Sequence, residues 1–227
     1  MPAPLRLVIF DCDGVLIDSE SLGDRVVSRE LHQVGWPISP EECHRRFVGL
    51  TFADIQRAAE THLRRTLGPD WVPSIVQRVT AVMAAEAEAI PGAREALEAV
   101  TAMGLPFRVV SNSSRTEMAA KLARAGLADM LKGRIHSAYD LIPLGKRGKP
   151  SPDLFLKAAA AEGVPPASCL VVEDSLSGVR GAVSAGMTCL AFCPNTDGAW
   201  LKQAGAVPFF SMSELPDLLH AALHESR

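Results

Sequence analysis

Two aspartates separated by a single residue, Asp11 and Asp13, carry the sharpest chemical signal in the sequence. They directly follow an apolar run at residues 7–10 that predicts a short buried strand. A strand ending there places Asp11 at the carboxyl edge of the sheet, where ligands bind in open α/β folds. One carboxylate can then attack phosphorus, while the other protonates the leaving oxygen and later deprotonates water. Gly14 permits a tight turn whose N–H groups can point at phosphate oxygens.

An Asp-x-Asp-Gly segment also occurs in surface turns and in calcium-binding loops. The buried strand directly before Asp11 argues against a surface turn. A calcium loop needs glycine at its sixth position, and the residue there is Leu16. Phosphoryl transfer is therefore the preferred interpretation.

A second apolar run, at residues 107–110, also ends in small polar residues. The hydroxyl of Ser111 and the N–H of Asn112 could hold a phosphoryl group during transfer. The same stretch could instead cap the helix that follows, since Ser114 and Glu117 fit a capping box. The residues alone leave both interpretations open.

Lys149 lies in a basic loop, residues 145–152, ahead of a predicted helix. Prolines at positions 150 and 152 restrict this loop, so Lys149 is a candidate for a fixed cation that neutralises the nucleophile and a phosphate oxygen together. The neighbouring Lys146 and Arg147 fit a solvated basic loop.

A third apolar run, residues 170–172, ends in Glu173 and Asp174. Adjacent acids repel one another unless a cation lies between them. Asp11, a main-chain carbonyl near Asp13, Asp174 and Glu173 would form a largely oxygen shell that suits Mg²⁺. Capping of the next helix by Asp174 or by Ser175 is the alternative.

These residues can act together only if the strands that precede them end at the same edge of one sheet. Strands are predicted at residues 7–10, 107–110, 170–172 and 189–192, with weaker candidates at 134–136 and 207–210. Helices are predicted at residues 94–103, 115–125, 152–162, 176–185 and 214–224. Apolar strands that alternate with helices indicate an α/β fold, a Rossmann-like parallel sheet with helices on both faces.

Residues 19–89 interrupt this alternation, because they show helical periodicity and no convincing strand. We expect an all-helical cap domain at 19–89, inserted after the first strand, and a core domain formed by 1–18 and 90–227. Arg45, Arg46 and Thr51 are the candidates in the cap for contact with substrate, chosen because Gly49 and its neighbours form a loop there.

Composition excludes several classes of protein. The 227 residues carry a formal net charge of −3, with 48% hydrophobic and 22% charged residues, so no overall positive field favours nucleic acid or an anionic membrane. No apolar run is long enough for a membrane span, and no secretory signal is evident. Five cysteines without a CxxC pair predict free thiols in a reducing cytoplasm.

The motifs in chain order resemble those of the haloacid dehalogenase (HAD) superfamily, and its β-phosphoglucomutase-like and phosphatase branch in particular. The segments that carry the resemblance are DCDGVLIDSE, GKPSPDLF and VVEDSLSGVRGAVSAG. The resemblance implies a nucleophile at Asp11, a general acid/base at Asp13, a phosphate clamp at Ser111 and Asn112, an orienting cation at Lys149, and Mg²⁺ held by Glu173 and Asp174.

Two departures separate the branches. The phosphoglucomutases have a cap histidine and a cap-loop arginine where this chain has Ser21-Leu22-Gly23-Asp24 and Thr51-Phe52-Ala53. The resemblance therefore implies a Mg²⁺-dependent phosphatase that hydrolyses small phosphorylated metabolites through an aspartyl-phosphate, with 6-phosphogluconate and phosphoglycolate as first substrates to test. A phosphomutase and a non-enzymatic, receiver-like phospho-acceptor are the alternatives. We expect a monomer or weak homodimer.

Overall fold

The computed structural model describes residues 3–47 and 50–224, and within them six parallel strands form one sheet in the order β3-β2-β1-β4-β5-β6. The strands are β1 (Leu7–Asp11), β2 (Phe107–Ser111), β3 (Ile135–Ser137), β4 (Cys169–Glu173), β5 (Thr188–Phe192) and β6 (Val207–Phe209). The predicted Rossmann-like α/β fold is confirmed.

Helices cover both faces of this sheet. The α-helices in the described ranges, four of which belong to an insertion, are α1 (Glu20–Gln33), α2 (Pro40–Phe47), α3 (Phe52–Leu63), α4 (Trp71–Glu86), α5 (Ala93–Ala102), α6 (Arg115–Arg124), α7 (Ala128–Leu131), α8 (Asp153–Ala161), α9 (Leu176–Ser184), α10 (Ala199–Gln203) and α11 (Leu215–His224). The five predicted core helices are α5, α6, α8, α9 and α11. The short α7 and α10 were not predicted.

Strand β1 shows why the central strands are apolar throughout. Val8 and Phe10 pack into the hydrophobic cluster on one face of the sheet, and Leu7 and Ile9 into the cluster on the other. Because successive side chains of a strand point to opposite faces, a strand covered on both sides needs apolar residues at every position. The first polar residue, Asp11, comes where β1 reaches the edge of the sheet.

The helical insertion, residues 20–86, lies between β1 and α5 and includes α1 to α4. Its own hydrophobic cluster includes Trp36 and Phe47, whose rings meet edge to face at 5.8 Å. The two linkers to the sheet run side by side, with the N–H of Asp18 bonded to the carbonyl of Glu88 at 3.0 Å. Helix α4 packs against α6 of the sheet layer.

All five cysteines are buried and free, as the sequence predicts. Burial raises the pKa of Cys12, Cys43, Cys169, Cys189 and Cys193, so these thiols are protonated core residues. Among the described residues, no helix has the length and apolar character required to cross a bilayer.

Candidate active site

The strand order brings the three predicted polar strand ends together. Strand β1 is paired with β2 on one side and with β4 on the other, all parallel. Asp11, Ser111 and Glu173 are the last residues of these three strands, so they share one edge of the sheet. This is the edge at which ligands bind in open α/β folds.

Asp11 is a buried carboxylate, with 5% of its surface exposed. Its Oδ1 accepts a hydrogen bond from Nζ of Lys149 at 2.5 Å. Burial is the largest influence on Asp11 and raises its pKa to about 7, even though the Lys149 ammonium acts in the opposite direction and Glu173 adds to the rise. At neutral pH, the ionised form of Asp11 therefore needs a second positive charge, in addition to Lys149, for its stabilisation.

Lys149 connects two of the strand ends, because its Nζ lies 2.5 Å from Oδ1 of Asp11 and 2.5 Å from Oε1 of Glu173. The two carboxylates raise the pKa of Lys149 against the opposing effect of burial, so it remains a cation. Asn112 fixes the backbone around this lysine, since its Oδ1 accepts from the Lys149 N–H at 2.9 Å and its Nδ2 donates to the Lys149 carbonyl at 3.1 Å. The side chain of Asn112 therefore positions Lys149.

Glu173 is fully buried, and both of its carboxylate oxygens have donors. Besides Lys149 on Oε1, its Oε2 accepts from the N–H of Asp174 at 3.0 Å, the N–H of Ser175 at 3.0 Å and the Ser175 hydroxyl at 2.9 Å. Gly178 is needed for this arrangement, because a Cβ there would lie 1.7 Å from Oε1 of Glu173. Glu173 thus holds Lys149 and its own loop in place. Ser175 caps α9 through Gly178, as the alternative interpretation allows.

Asp11, Glu173 and Asp174 could hold a metal ion, because one oxygen from each lies within 4.8 Å of the others. Burial and then the charges of Glu173 and Asp11 raise the pKa of Asp174 well above its usual value. Two buried acids and the half-buried Asp174 thus face the Lys149 ammonium, and a divalent cation with a preference for oxygen would offset the excess negative charge. The donor set fits Mg²⁺, with Asp11 and Asp174 as the side chains most open to it.

Gly14 provides the space for Asp174. Its φ is +76°, and a Cβ there would lie 1.8 Å from Oδ2 of Asp174, so any side chain would displace that carboxylate. The N–H of Gly14 donates to the carbonyl of Ile17 at 2.8 Å and so closes the turn after Asp13.

Asp13 turns toward the end of β2. Its Oδ2 accepts from the hydroxyls of Ser111 at 3.0 Å and Ser113 at 3.2 Å, and its Oδ1 forms an ion pair with Lys121. Sequence reasoning missed Lys121 and Ser113. One signal was present, because Lys121 lies between Met118 and Leu122 on the buried side of α6, a position where a lysine is unexpected.

The candidate contact residues of the helical insertion are engaged within it. Arg46 bonds to Glu42 and lies over the ring of Trp36, and the Thr51 hydroxyl takes part in the capping box with Asp54 that begins α3. Arg45 is an exposed residue of α2. Gly49, part of the loop that suggested these residues, lies outside the described residues.

Another residue of the insertion lies near the candidate metal site. Glu20, the first residue of α1, is close enough to contribute to the raised pKa of Asp174. His44 on α2 lies 2.9 Å from Oδ2 of Asp24 on α1, and both residues also act on the pKa of Glu20. None of these three residues was a candidate in the sequence, and Glu20 brings a further negative charge close to Asp174.

Comparisons with known proteins agree with this geometry. The sequence model of the haloacid dehalogenase-like hydrolases matches residues 5–186. A 6-phosphogluconate phosphatase from Escherichia coli K12 is 30% identical over 218 residues, which cover 96% of either chain. A phosphorylated carbohydrates phosphatase from Thermotoga maritima is 30% identical and covers 96% of this chain and 100% of its own. The crystal structure of a HAD family hydrolase from Deinococcus radiodurans, with bound phosphate and sodium, superimposes with a TM-score of 0.85 and 33% identity over 97% of both chains.

Proposed function

Because this chain belongs to the haloacid dehalogenase-like hydrolase family, we propose that it is a Mg²⁺-dependent phosphatase that forms an aspartyl-phosphate on Asp11. The observation that carries the proposal is the buried Asp11 carboxylate at the sheet edge, bonded to Lys149 and followed two residues later by Asp13. The substrate class we propose is small phosphorylated metabolites, and sugar or sugar-acid monophosphates among them. The names of the Escherichia coli and Thermotoga maritima phosphatases support that class.

In the first step, a carboxylate oxygen of Asp11 attacks phosphorus and the bond to the leaving oxygen breaks. Lys149 stays beside Asp11 through the step and offsets the negative charge around the phosphoryl group. Asp13 gives its proton to the departing oxygen, so that an alcohol leaves in place of an alkoxide. The protein then carries the phosphoryl group on Asp11, and Asp13 is a carboxylate.

In the second step, Asp13 takes a proton from a water molecule that attacks the phosphorus. The bond between phosphorus and Asp11 breaks, inorganic phosphate leaves, and Asp13 is protonated again for the next turnover. The helical insertion would exclude bulk water by closing over the substrate, with the paired linkers near Asp18 and Glu88 as the place where it bends.

Mg²⁺ would be held by the side chains of Asp11 and Asp174 and by the main-chain carbonyl near Asp13. When bound, it would neutralise negative charge on the transferring phosphoryl group. Glu173 contributes through Lys149 and the loop after β4, since its own oxygens already have donors.

Different observations argue against the two alternatives to a phosphatase. A non-enzymatic phospho-acceptor module does not fit a chain of a hydrolase family, so we set it aside. A phosphomutase would have to hold a second phosphate, yet the described contacts of Arg46 and Thr51 remain within the insertion. These contacts support hydrolysis over transfer within a sugar. A cytoplasmic location is part of the proposal, which the five free thiols support.

A phosphate-release screen tests the proposed function. The panel contains p-nitrophenyl phosphate, 6-phosphogluconate, phosphoglycolate, hexose phosphates and β-glucose 1-phosphate, each with Mg²⁺ and with a chelator. We expect release from several sugar phosphates, about 100-fold faster with Mg²⁺. Isomerisation of β-glucose 1-phosphate faster than its hydrolysis would identify a mutase, and inactivity on the whole panel would contradict the proposal.

The raised pKa of Asp11 predicts how Mg²⁺ affinity depends on pH. The metal binds the carboxylate, which in the metal-free protein forms as the pH rises through about 7. Mg²⁺ binding should therefore release at least one proton near neutrality, and affinity should increase about tenfold or more from about pH 6 to about pH 8, since the pKa of Asp174 is raised as well. Titration calorimetry at several pH values, in two buffers of different ionisation enthalpy, measures both the proton release and the affinity. An affinity independent of pH over this range would contradict the prediction.

A further inference from the structure

Lys121 lies outside every motif of the sequence and belongs to none of the roles assigned above. We propose that it is a positioning residue for Asp13, one that fixes the orientation of the carboxylate so that its remaining acceptor site carries the proton to the leaving oxygen. The inference rests on the proposed function, because it requires Asp13 to act as the general acid.

The contacts around Asp13 define one arrangement. The ammonium of Lys121 donates to Oδ1 of Asp13 and to the hydroxyl of Ser113, the latter at 3.1 Å. The hydroxyls of Ser111 and Ser113 donate to Oδ2 at 3.0 Å and 3.2 Å. Lys121 therefore contacts the carboxylate directly and also through one of the serines that hold its other oxygen.

The number of acceptor sites on a carboxylate determines which site remains available to carry the proton. A carboxylate offers about four acceptor sites, two on each oxygen. In the described part of the chain, the donors above fill both sites on Oδ2 and one on Oδ1. The side chain of Asp13 is 31% exposed while that of Lys121 is 4% exposed, so the ammonium occupies the interior side. The acceptor site without a described donor is therefore on Oδ1, and in this proposal it is the site that a leaving group reaches.

A structural role alone does not explain a lysine at this position. Its neighbours Met118 and Leu122 are fully buried, and desolvation of an ammonium costs free energy that an apolar side chain of similar volume would not. A methionine at position 121 would fill the same space on α6. The buried ammonium therefore costs free energy, and the charged group that it contacts is Asp13.

Substrates with different leaving groups distinguish a positioning role of Lys121 from a purely structural role. An alkoxide needs a proton in order to leave, whereas p-nitrophenolate is stable as an anion and needs none. The ratio kcat/KM reports the steps up to transfer to Asp11, so hydrolysis of the aspartyl-phosphate does not enter it. In Lys121→Met, we expect kcat/KM for an alkyl phosphate to fall about 30-fold, and that for p-nitrophenyl phosphate to change less than about threefold.

Lys157→Met is the matched control, since the ion pair of Lys157 on α8 is with Asp140, at 3.9 Å, and both of the variant's kcat/KM values should remain unchanged. Equal losses of Lys121→Met on the two esters, or no loss on either, would contradict the positioning role. If Lys121→Met does not fold, Ser113→Ala should show the same selective loss at a smaller size, and its absence would contradict the role as well. A wild-type protein inactive on both esters would instead contradict the proposed function.

A crystal structure of Lys121→Met provides a test that is independent of activity. We expect the Asp13 carboxylate to rotate away from Ser111 and Ser113 once the ion pair is lost. A carboxylate that keeps both serine contacts would overturn the inference, even in a protein with no measurable phosphatase activity.

Discussion

Replacement of Asp11 with asparagine is expected to lower phosphate release by about 10⁴-fold or more. The amide of asparagine cannot act as the nucleophile, and the neighbouring carboxylates are engaged elsewhere in the proposed site: Glu173 is bonded through both oxygens, Asp13 is held by Lys121, and Asp174 is a proposed metal ligand. We expect the fold to remain intact. Burial already raises the pKa of Asp11 to about 7, so a neutral side chain at this position is tolerated in the metal-free protein.

This prediction is tested with p-nitrophenyl phosphate at saturating Mg²⁺, alongside a thermal melt of each protein. Asp129→Asn is the matched control, because Asp129 is exposed on α7, and it should keep full activity. Phosphate release by Asp11→Asn within about tenfold of the wild type would mean that another residue is the nucleophile.

Replacement of Lys149 with methionine is expected to lower kcat by about 10³-fold. The variant loses the cation beside the transferring phosphoryl group and leaves Asp11 and Glu173 without their shared partner. Since the Lys149 ammonium lowers the pKa of Asp11, its removal should raise that pKa further, so that the acid limb of the kcat profile moves to higher pH. The free energy of unfolding should fall by about 3 kcal/mol, because two buried carboxyls lose an ion pair.

The control for this variant is Lys146→Met, in the same loop but at an exposed position. Its activity and stability should match the wild type. An acid limb that stays in place in Lys149→Met would show that Lys149 does not act on Asp11, whatever the loss in rate.

The strands were predictable because a strand that is buried on both faces has apolar residues at every position. The predicted run at residues 7–10 lies within β1, and that at 189–192 lies within β5. The short α7 and α10 left no such trace, since a helix of four or five residues depends on contacts with the rest of the fold. Strand β3 was a weak candidate because it has only three residues at the edge of the sheet.

The site was predictable to the level of strand ends. Asp11, Ser111 and Glu173 are polar residues at the ends of apolar runs, and parallel pairing brings such ends together. Side-chain directions were not predictable, because they depend on contacts between residues distant in the chain. The side chain of Asn112 holds the backbone of Lys149, and Ser111 bonds to Asp13. Lys121 lies 108 residues from Asp13, so no local motif could reveal their contact.

Chemical trapping of the phosphorylated protein tests the central claim most directly. The protein is mixed with p-nitrophenyl phosphate and Mg²⁺, quenched in acid during turnover and reduced with borohydride, which converts an aspartyl-phosphate to homoserine. The peptides are then mapped by mass spectrometry. We predict homoserine at position 11 in the wild type and none in Asp11→Asn. Homoserine at position 13 or 174, or a wild type that releases phosphate with no modified aspartate during turnover, would contradict the account.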